Sequence, residues 1–211
     1  MEMNRTNQDK GNYGNAGQPK APSEKEFTQS SGVLNCFEWV ESIVTALILV
    51  VVVFTFLFRI VTVSGPSMQP NLYDSYRLIL SNLNYHPKQG DIVVLSHTVG
   101  LSEPIIKRVI ALPGQTVDID NKTGRVVVDG KVLDESAYIQ NGITQVAQDT
   151  PGNPVLKFPQ KVPDGHVFVL GDNRTISEDS RYEKVGMVDQ KFIIGKAELI
   201  LFPFSHVGKL K

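Results

Sequence analysis

The sequence predicts a mainly β protein, built from short antiparallel strands and preceded by one N-terminal transmembrane helix. One observation is an uncharged, apolar segment that runs from residue 42 to residue 58. The second is that residues 64–211 contain short β-branched runs separated by Gly, Pro, Asn and Asp, without a sustained helical period. The predicted organisation is a disordered polar tail over residues 1–38, an anchor helix over 39–62 and a β domain over 63–211.

Size and composition limit the classes of protein to which the chain can belong. Its 211 residues correspond to one domain with appendages, at roughly 150 residues per domain. The formal net charge is −1, so no basic field favours nucleic acid as a partner. Cys36 is the only cysteine, so no internal disulfide is expected and the fold depends on apolar packing. The Cys36 thiol is expected to be idle, with acylation as the alternative.

The apolar segment is long enough to cross a membrane. Ser42–Phe58 contains 17 consecutive uncharged residues, 14 of them apolar, and Ile60–Val63 continue this character after Arg59. A membrane helix needs about 20 such residues, and the long Arg59 side chain can reach the interface. The alternatives are a buried core helix and a cleaved secretory signal. A signal fits poorly, because 41 mostly polar residues precede the segment and Pro66 follows its small-residue exit. The Lys and Arg residues that flank the segment do not decide its orientation.

The region after the anchor contains strand-like runs and two recognisable turns. The Asp-Gly pair at residues 129–130 lies between β-branched runs and predicts a two-residue hairpin. Pro-Asp-Gly at 163–165 predicts a turn that leads into a strand over 166–170. Lys196 and Glu198 interrupt the final apolar run, which is therefore not a second membrane span. The predicted strands lie within GDIVVL, IIKRVIAL, TVDID, RVVVDGKVL, HVFVL and FIIGKAELILF.

Several common catalytic and metal-binding motifs are missing from the sequence. It contains no HExxH and no Cys-x-x-Cys, so no metal site is predicted, and it has neither a P-loop nor a GxGxxG fingerprint. No cofactor is expected. Ser-x-x-Lys is absent, and Ser67 does not lie in G-x-S-x-G. The four histidines are scattered and are expected at the surface or in strands, namely His86, His97, His166 and His206.

The sequence offers one lysine as a candidate base for a serine nucleophile. Lysine is the recognised alternative to histidine, but in water its pKa is ~10.4 and it is protonated. Burial among aliphatic side chains lowers that pKa. In PIIKRVIALPG, Lys107 would share one face of a strand with Ile105 and Val109, while Arg108 faces away. The alternative is a solvated Lys-Arg edge.

The polar stretch GDNRTISEDSR follows an apolar strand. If its second half is extended, Ser177, Asp179 and Arg181 fall on one face. Asp179 and Arg181 would then pair, which leaves Ser177 to hydrogen-bond to a neighbouring lysine. The alternative is a polar loop closed by a salt bridge.

Together these segments resemble type I signal peptidase, a family of membrane-bound Ser/Lys peptidases that remove signal peptides from exported proteins. The resemblance spans roughly residues 40–205 and rests on the anchor, SGPSMQP, GDIVV, IIKRVIALPG and GDNRTISEDSR, in this order. It implies a signal-peptidase-like β fold and cleavage after Ala-x-Ala-like sites. It also implies a single-pass protein of the cell membrane, with tail 1–38 in the cytoplasm and catalytic domain 63–211 on the extracytoplasmic face. The implied partners are signal peptides and membrane lipid, with the protein-export channel as a candidate and no nucleic acid.

The resemblance also implies roles for individual residues. Ser67 matches the nucleophile, Lys107 the general base, and Ser177 the serine that helps to orient this lysine. Asp179 and Arg181 match a supporting ion pair, and two further polar positions, Asp172 and Arg174, would have structural roles only. The residues implied to line the pockets for small side chains are Val61, Val63, Met68, Leu72, Ile105 and Ile106.

Some positions depart from the family pattern. Gly65 stands where some members carry a serine whose hydroxyl serves the oxyanion hole, so the backbone N–H of Ser67 is expected in that role. Gln115 and Ala111 replace an acidic residue and a glycine, and neither change removes a catalytic group. Self-cleaving repressors are one alternative, disfavoured by the anchor. A non-enzymatic membrane adaptor is another, and it would be expected to lose Ser67 or Lys107.

Overall fold

A computed structural model of the chain describes residues 31–120, 122–139, 143–144 and 147–210. The predicted tail lies outside these residues as far as residue 30, and residues 31–38, which were also assigned to the tail, are helical instead. The described part begins with a long helix, α1, and continues as a mainly β structure in which every strand pairing is antiparallel. The predicted fold class is therefore confirmed.

Helix α1 is followed by short strands and two 3-10 turns, Gln190–Phe192 and Phe204–His206. The strands in the described residues are β1 (Phe58–Thr62), β2 (Arg77–Ser81), β3 (Ile92–Leu95), β4 (Ile105–Ala111), β5 (Thr116–Ile119), β6 (Val126–Val128), β7 (Lys131–Val132), β8 (Gln160–Lys161), β9 (His166–Leu170), β10 (Val188–Asp189), β11 (Ile193–Phe202) and β12 (Gly208–Lys209).

Helix α1, Ser31–Leu57, contains the candidate membrane anchor. Its window Cys36–Val53 has a mean hydropathy of 2.2, and none of that window is buried. The helix ends before the predicted limit at residue 62, because Phe58–Thr62 pair along their whole length with β2. These five residues are rich in β-branched side chains, which favour a strand as readily as they continue an apolar run.

The larger sheet has the strand order β1-β2-β11-β3-β4-β9-β10, and β12 pairs with β11. Strand β11 is ten residues long and lies between β2 and β3. In its register, Ala197 is opposite Leu80 of β2 and Lys196 is opposite Val93 of β3. Strands β2 and β3 are close in sequence, but they are joined in the sheet by β11, which comes more than 90 residues later.

The smaller sheet has the order β7-β6-β5-β8 and contains the predicted hairpin. Val128 pairs with Lys131, and the two turn residues between them have positive φ, 51° at Asp129 and 76° at Gly130. Both values suit the mirror-image turn that joins two antiparallel strands. The second predicted turn is also present, since the N–H of His166 donates to the carbonyl of Pro163 over 3.2 Å at the start of β9.

The chain between β1 and β2 is anchored in a hydrophobic core. Val63, Met68 and Leu72 are buried there together with apolar residues of β2, β3 and β11. Side chains before and after residue 67 therefore fix this connection to the sheet, while residue 67 itself is only half-buried. Burial of each large apolar side chain contributes roughly 1.5–3 kcal/mol.

Candidate active site

Ser67 lies in a tight turn between β1 and β2. Gly65 has φ of +82°, a conformation that favours glycine, and its N–H donates to Oδ1 of Asp74 over 2.9 Å. The carbonyl of Met68 accepts from the N–H of Leu72 over 2.9 Å, which closes the turn on the far side of Ser67. These bonds hold the chain on both sides of the serine.

The loop after β9 fixes the same turn from the other side. The N–H of Asn173 donates to the carbonyl of Ser67 over 3.0 Å, and Nδ2 of Asn173 donates to the carbonyl of Pro66 over 3.3 Å. A Cβ on Gly171 would lie 2.6 Å from the Ser67 carbonyl oxygen and 2.2 Å from Oγ of Ser177. Only glycine permits this approach between the two segments.

Lys107 meets Ser67 from strand β4. Its Nζ lies 2.9 Å from Oγ of Ser67, and the residue is 3% exposed. Burial lowers the pKa of Lys107, while the negative charges of Asp179 and Glu178 partly oppose this shift. The arrangement therefore places a serine hydroxyl against an amine that loses its proton more readily than a lysine in water.

The backbone N–H of Ser67 has no acceptor among the described residues. Ser67 is half-buried and lines a cleft together with Lys107. A donor in this state is available to a negatively charged oxygen that develops beside the hydroxyl.

Asp179 and Arg181 form a buried ion pair, as the sequence analysis expected. Nε of Arg181 donates to Oδ1 of Asp179 over 2.8 Å, and Nη2 donates to Oδ2 over 2.9 Å. Arg181 also donates to the carbonyl of Arg174 over 2.8 Å, and Oδ2 of Asp179 accepts from the N–H of Gly171 over 3.0 Å. The segment is a series of turns rather than the extended chain that was assumed, and this pair ties those turns together.

Ser177 is 2% exposed, and its Oγ has no hydrogen-bond partner among the described residues. It lies beside Gly171, on the same side of the loop as the Ser67 carbonyl. The expected hydrogen bond between Ser177 and Lys107 is therefore not formed in this structure.

Arg108 points away from Lys107, as its position on a strand predicted. It forms two hydrogen bonds with Asp172, Nε to Oδ1 and Nη2 to Oδ2, both of 2.7 Å. Both members of the Lys-Arg pair are buried, so the alternative of a solvated edge is wrong. The sequence analysis did not predict Glu135, whose carboxylate is 2.5 Å from Nη2 of Arg174. These residues are 39 positions apart, and no local sequence pattern indicates such a distant pair.

A cleft of about 340 Å³ opens beside Ser67 and Lys107. Of the residues implied to form pockets, Val61, Ile105 and Ile106 line it. The other three, which are Val63, Met68 and Leu72, do not line this cleft and lie in the core instead. Its remaining lining residues were not singled out in the sequence, and they are Thr62, Ser64, Val94, Pro104 and Ile194.

The histidines lie at the surface or in a strand. His86, His97 and His206 are exposed, and His166 is the first residue of β9. Within the part of the chain that the structure describes, no group of three or more His, Cys, Asp or Glu side chains could hold a metal ion.

Comparison with known proteins gives a consistent result. Residues 36–202 match the family model for signal peptidase, peptidase S26. A signal peptidase I of Bacillus amyloliquefaciens is 36% identical over 192 residues, which cover 90% of this chain and 99% of that protein. Signal peptidase I P of Bacillus subtilis subsp. natto is 38% identical and covers 89% of this chain and 99% of its own.

A crystal structure of a signal peptidase I from Enterococcus faecalis V583 aligns with 53% of this chain and 97% of that chain, at 29% identity and a TM-score of 0.41. The family model covers most of the chain, and both Bacillus relatives match it over nearly their full length. The chain therefore belongs to the signal peptidase family, peptidase S26.

Proposed function

We propose that the protein is a membrane-anchored serine endopeptidase that removes signal peptides from exported preproteins, with Ser67 as nucleophile and Lys107 as general base. One observation carries the assignment of the two residues. The Lys107 Nζ lies 2.9 Å from the Ser67 Oγ, and Lys107 is buried. Membership in the signal peptidase family supports signal peptides as the substrate class.

Acylation starts from the neutral amine of Lys107. As Oγ of Ser67 attacks the carbonyl carbon of the scissile bond, Nζ of Lys107 takes the hydroxyl proton and becomes an ammonium. The carbonyl oxygen acquires negative charge and accepts a hydrogen bond from the backbone N–H of Ser67. The C–N bond then breaks, and the ammonium returns its proton to the amine of the departing mature protein. The signal peptide remains bound to Ser67 as an ester.

Deacylation repeats these steps with water. Lys107 takes a proton from a water molecule, and the resulting hydroxide attacks the ester carbonyl. The ester C–O bond breaks, Ser67 recovers its proton from Lys107, and the signal peptide leaves as a carboxylic acid. One amide bond and one water molecule are consumed, so no cofactor is required.

Several neighbours support this pair without touching the scissile bond. Asp74 holds the N–H of Gly65 and so fixes the approach to Ser67. The Asp179–Arg181 pair stabilises the loop whose Asn173 N–H holds the Ser67 carbonyl. It thereby helps to keep the Ser67 hydroxyl close to the Lys107 amine. We also propose that Ser177 helps to orient the Lys107 amine, because its buried hydroxyl has no hydrogen-bond partner among the described residues and is available to form one.

Substrate binding is proposed to use an edge of the larger sheet. In the part of the chain that the structure describes, β1 is the first strand of the larger sheet, and an edge strand can pair with an extended peptide. The cleft beside it is small and is lined by Val61, Ile105 and Ile106. Small side chains at the first and third positions before the cut fit this space, which is the basis for proposing Ala-x-Ala-like sites.

The proposed topology rests on helix α1 as the anchor and on membership in the signal peptidase family for the orientation. The helix crosses the membrane once, the preceding tail lies in the cytoplasm, and the β domain from residue 63 onward is on the extracytoplasmic face. Membrane lipid would then contact the exposed apolar surface of Cys36–Val53. The protein-export channel is the source of emerging substrates and a candidate partner.

The test uses the full-length chain in detergent micelles and a preprotein with an Ala-x-Ala site. Ser67→Ala and Lys107→Arg are compared with the wild-type protein and with two control variants at exposed positions, Ser102→Ala and Lys122→Arg. Ser67→Ala removes the nucleophile, and Lys107→Arg removes the base because arginine cannot act as one. Each variant should lower kcat by roughly 10⁴-fold or more. The controls should cleave normally, and N-terminal sequencing identifies the bond that is cut.

Other results would refute specific parts of this proposal. Equal cutting by Ser67→Ala would mean that Ser67 is only a turn residue, and turnover by Lys107→Arg would exclude Lys107 as the base. A preprotein with Leu at both alanine positions should stay intact; efficient cutting of it would refute the small pockets. No cutting by folded wild-type protein in detergent or in lipid would favour the non-enzymatic adaptor.

A further inference from the structure

We propose that Asn71 is a positioning residue that holds Ser67 within reach of Lys107. This inference rests on the proposed function, because it concerns the geometry of the same serine and lysine. Asn71 belongs to none of the motifs on which the family resemblance rests, and it does not line the cleft beside Ser67. Its side chain instead joins three segments that are far apart in sequence.

Asn71 is part of the turn that carries Ser67. Its backbone N–H donates to the carbonyl of Met68 over 3.0 Å, so its position is tied to the residue directly after the serine. Its Nδ2 donates twice, to Oδ2 of Asp172 over 2.8 Å and to the carbonyl of Tyr138 over 2.7 Å. An amide nitrogen has two hydrogens, and both are used here. These two hydrogen bonds therefore fix the orientation of the Asn71 amide group.

The Asp172 end of this link leads to the strand of the proposed base. The Asp172 carboxylate receives two hydrogen bonds from Arg108, and Arg108 directly follows Lys107 in β4. Asp172 also lies next to Asn173, whose N–H holds the Ser67 carbonyl. Asn71 thus connects the turn of the nucleophile to the strand of the base through one rigid, buried carboxylate.

The Tyr138 end is equally well held. The Tyr138 ring centre lies 4.1 Å from Cζ of Arg108, and its hydroxyl donates to Oε1 of Glu135 over 3.0 Å. Glu135 in turn pairs with Arg174, two residues after Asp172. Both acceptors of Asn71 belong to this network, in which Asp172 is buried and Tyr138 is half-buried, so the amide is held at two points. A shift of the Ser67 turn along β4 would break both of its hydrogen bonds.

Misplacement of reacting groups by about 1 Å can cost up to about 100-fold in rate. Asn71→Ala removes both donors, and Asn71→Asp is nearly isosteric but places a second carboxylate against Asp172. The expected result is a kcat lowered by about tenfold in the alanine variant and by more in the aspartate variant. KM should stay within about twofold, because substrate contacts the cleft and not Asn71.

The experiment measures kcat and KM of the full-length chain in detergent with the Ala-x-Ala preprotein. Asn84→Asp is the matched control, since it makes the same chemical change in an exposed loop away from the turn. All rates are expressed per folded molecule, with the folded fraction taken from circular dichroism at the assay temperature. Asn71→Ser retains one hydroxyl donor and should give an intermediate kcat; it carries the test if the alanine variant does not fold.

A merely structural role predicts a different pattern. Asn71 would then change the melting temperature alone, and kcat per folded molecule would equal that of Asn84→Asp in every variant. That result, with wild-type cleavage intact and Ser67→Ala inactive, overturns this inference and leaves the proposed function standing. A rise in KM at unchanged kcat would also overturn it, by making Asn71 a substrate contact. Failure of the wild-type protein to cleave refutes both proposals together.

Discussion

The buried pair between Arg108 and Asp172 gives a quantitative prediction for Asp172→Ala. The two side chains are only 2% and 0% exposed and share two hydrogen bonds of 2.7 Å. Removal of one partner from such a pair leaves an uncompensated buried charge and costs about 3–5 kcal/mol. For a protein of this size each kcal/mol corresponds to ~2–4 °C, so the melting temperature should fall by about 6–20 °C.

The measurement is thermal unfolding of the full-length chain in detergent, followed by the β signal in circular dichroism. Tryptophan fluorescence is unsuitable, because the single tryptophan, Trp39, is in helix α1. Lys191→Ala is the control. It removes an ion pair with the same 2.7 Å distance to Asp189, but these side chains are 66% and 27% exposed. An exposed pair contributes about 0–1 kcal/mol, so this control should shift the melting temperature by only a few degrees.

Two outcomes would refute the reasoning about burial. Equal shifts for Asp172→Ala and Lys191→Ala would show that burial does not amplify the loss. The double variant Arg108→Met with Asp172→Leu replaces the pair by apolar side chains of similar volume and should be more stable than Asp172→Ala. If it is equally unstable, the cost does not come from an unpaired Arg108 charge.

Two further perturbations test the base and a turn. If Lys107 is the base, as proposed, the rate should rise with pH, because only its neutral form can accept a proton. Burial lowers the pKa of Lys107 and the Glu178 charge partly opposes this shift, so Glu178→Gln should lower this pKa further. The rising limb of kcat/KM against pH should therefore move to lower pH, and a move to higher pH would contradict this electrostatic assignment. Gly130→Ala places a Cβ at φ of +76° and should cost about 1–2 kcal/mol, seen as a lower melting temperature at unchanged activity. An unchanged melting temperature would mean that the hairpin relaxes without strain.

Local sequence signals predicted much of the sheet. β-branched runs and turn residues identified β3, β4, β5, β6, β9 and β11, and the hairpin at residues 129–130 formed as expected. Strand β1 was missed, because a short apolar run that follows a membrane segment has no periodicity to separate strand from helix. Its identity depends on pairing with β2, which is a tertiary contact.

In the candidate site, too, features set by neighbouring residues could be predicted, and contacts between distant residues could not. Burial of Lys107 could be predicted, because its aliphatic neighbours belong to the same strand. The partners of Arg108, Arg174 and Asn71 could not, since they lie 64, 39 and 101 residues away. A single sequence contains no information on which distant charges meet. For the same reason Val63, Met68 and Leu72 could not be recognised as core rather than cleft residues.

The position of β11 has a consequence for how the protein matures. The hydroxyl and the amine of the candidate site belong to two half-sheets, because Ser67 precedes β2 and Lys107 lies in the β3–β4 hairpin. Among the described residues these halves do not pair with each other, and each pairs with residues 193–202. Such long-range pairing forms late compared with local hairpins. Under the proposed function, a chain in which residues 193–202 are not yet in place contains both groups but lacks the strand that joins their half-sheets, so we expect it to be inactive until this strand pairs.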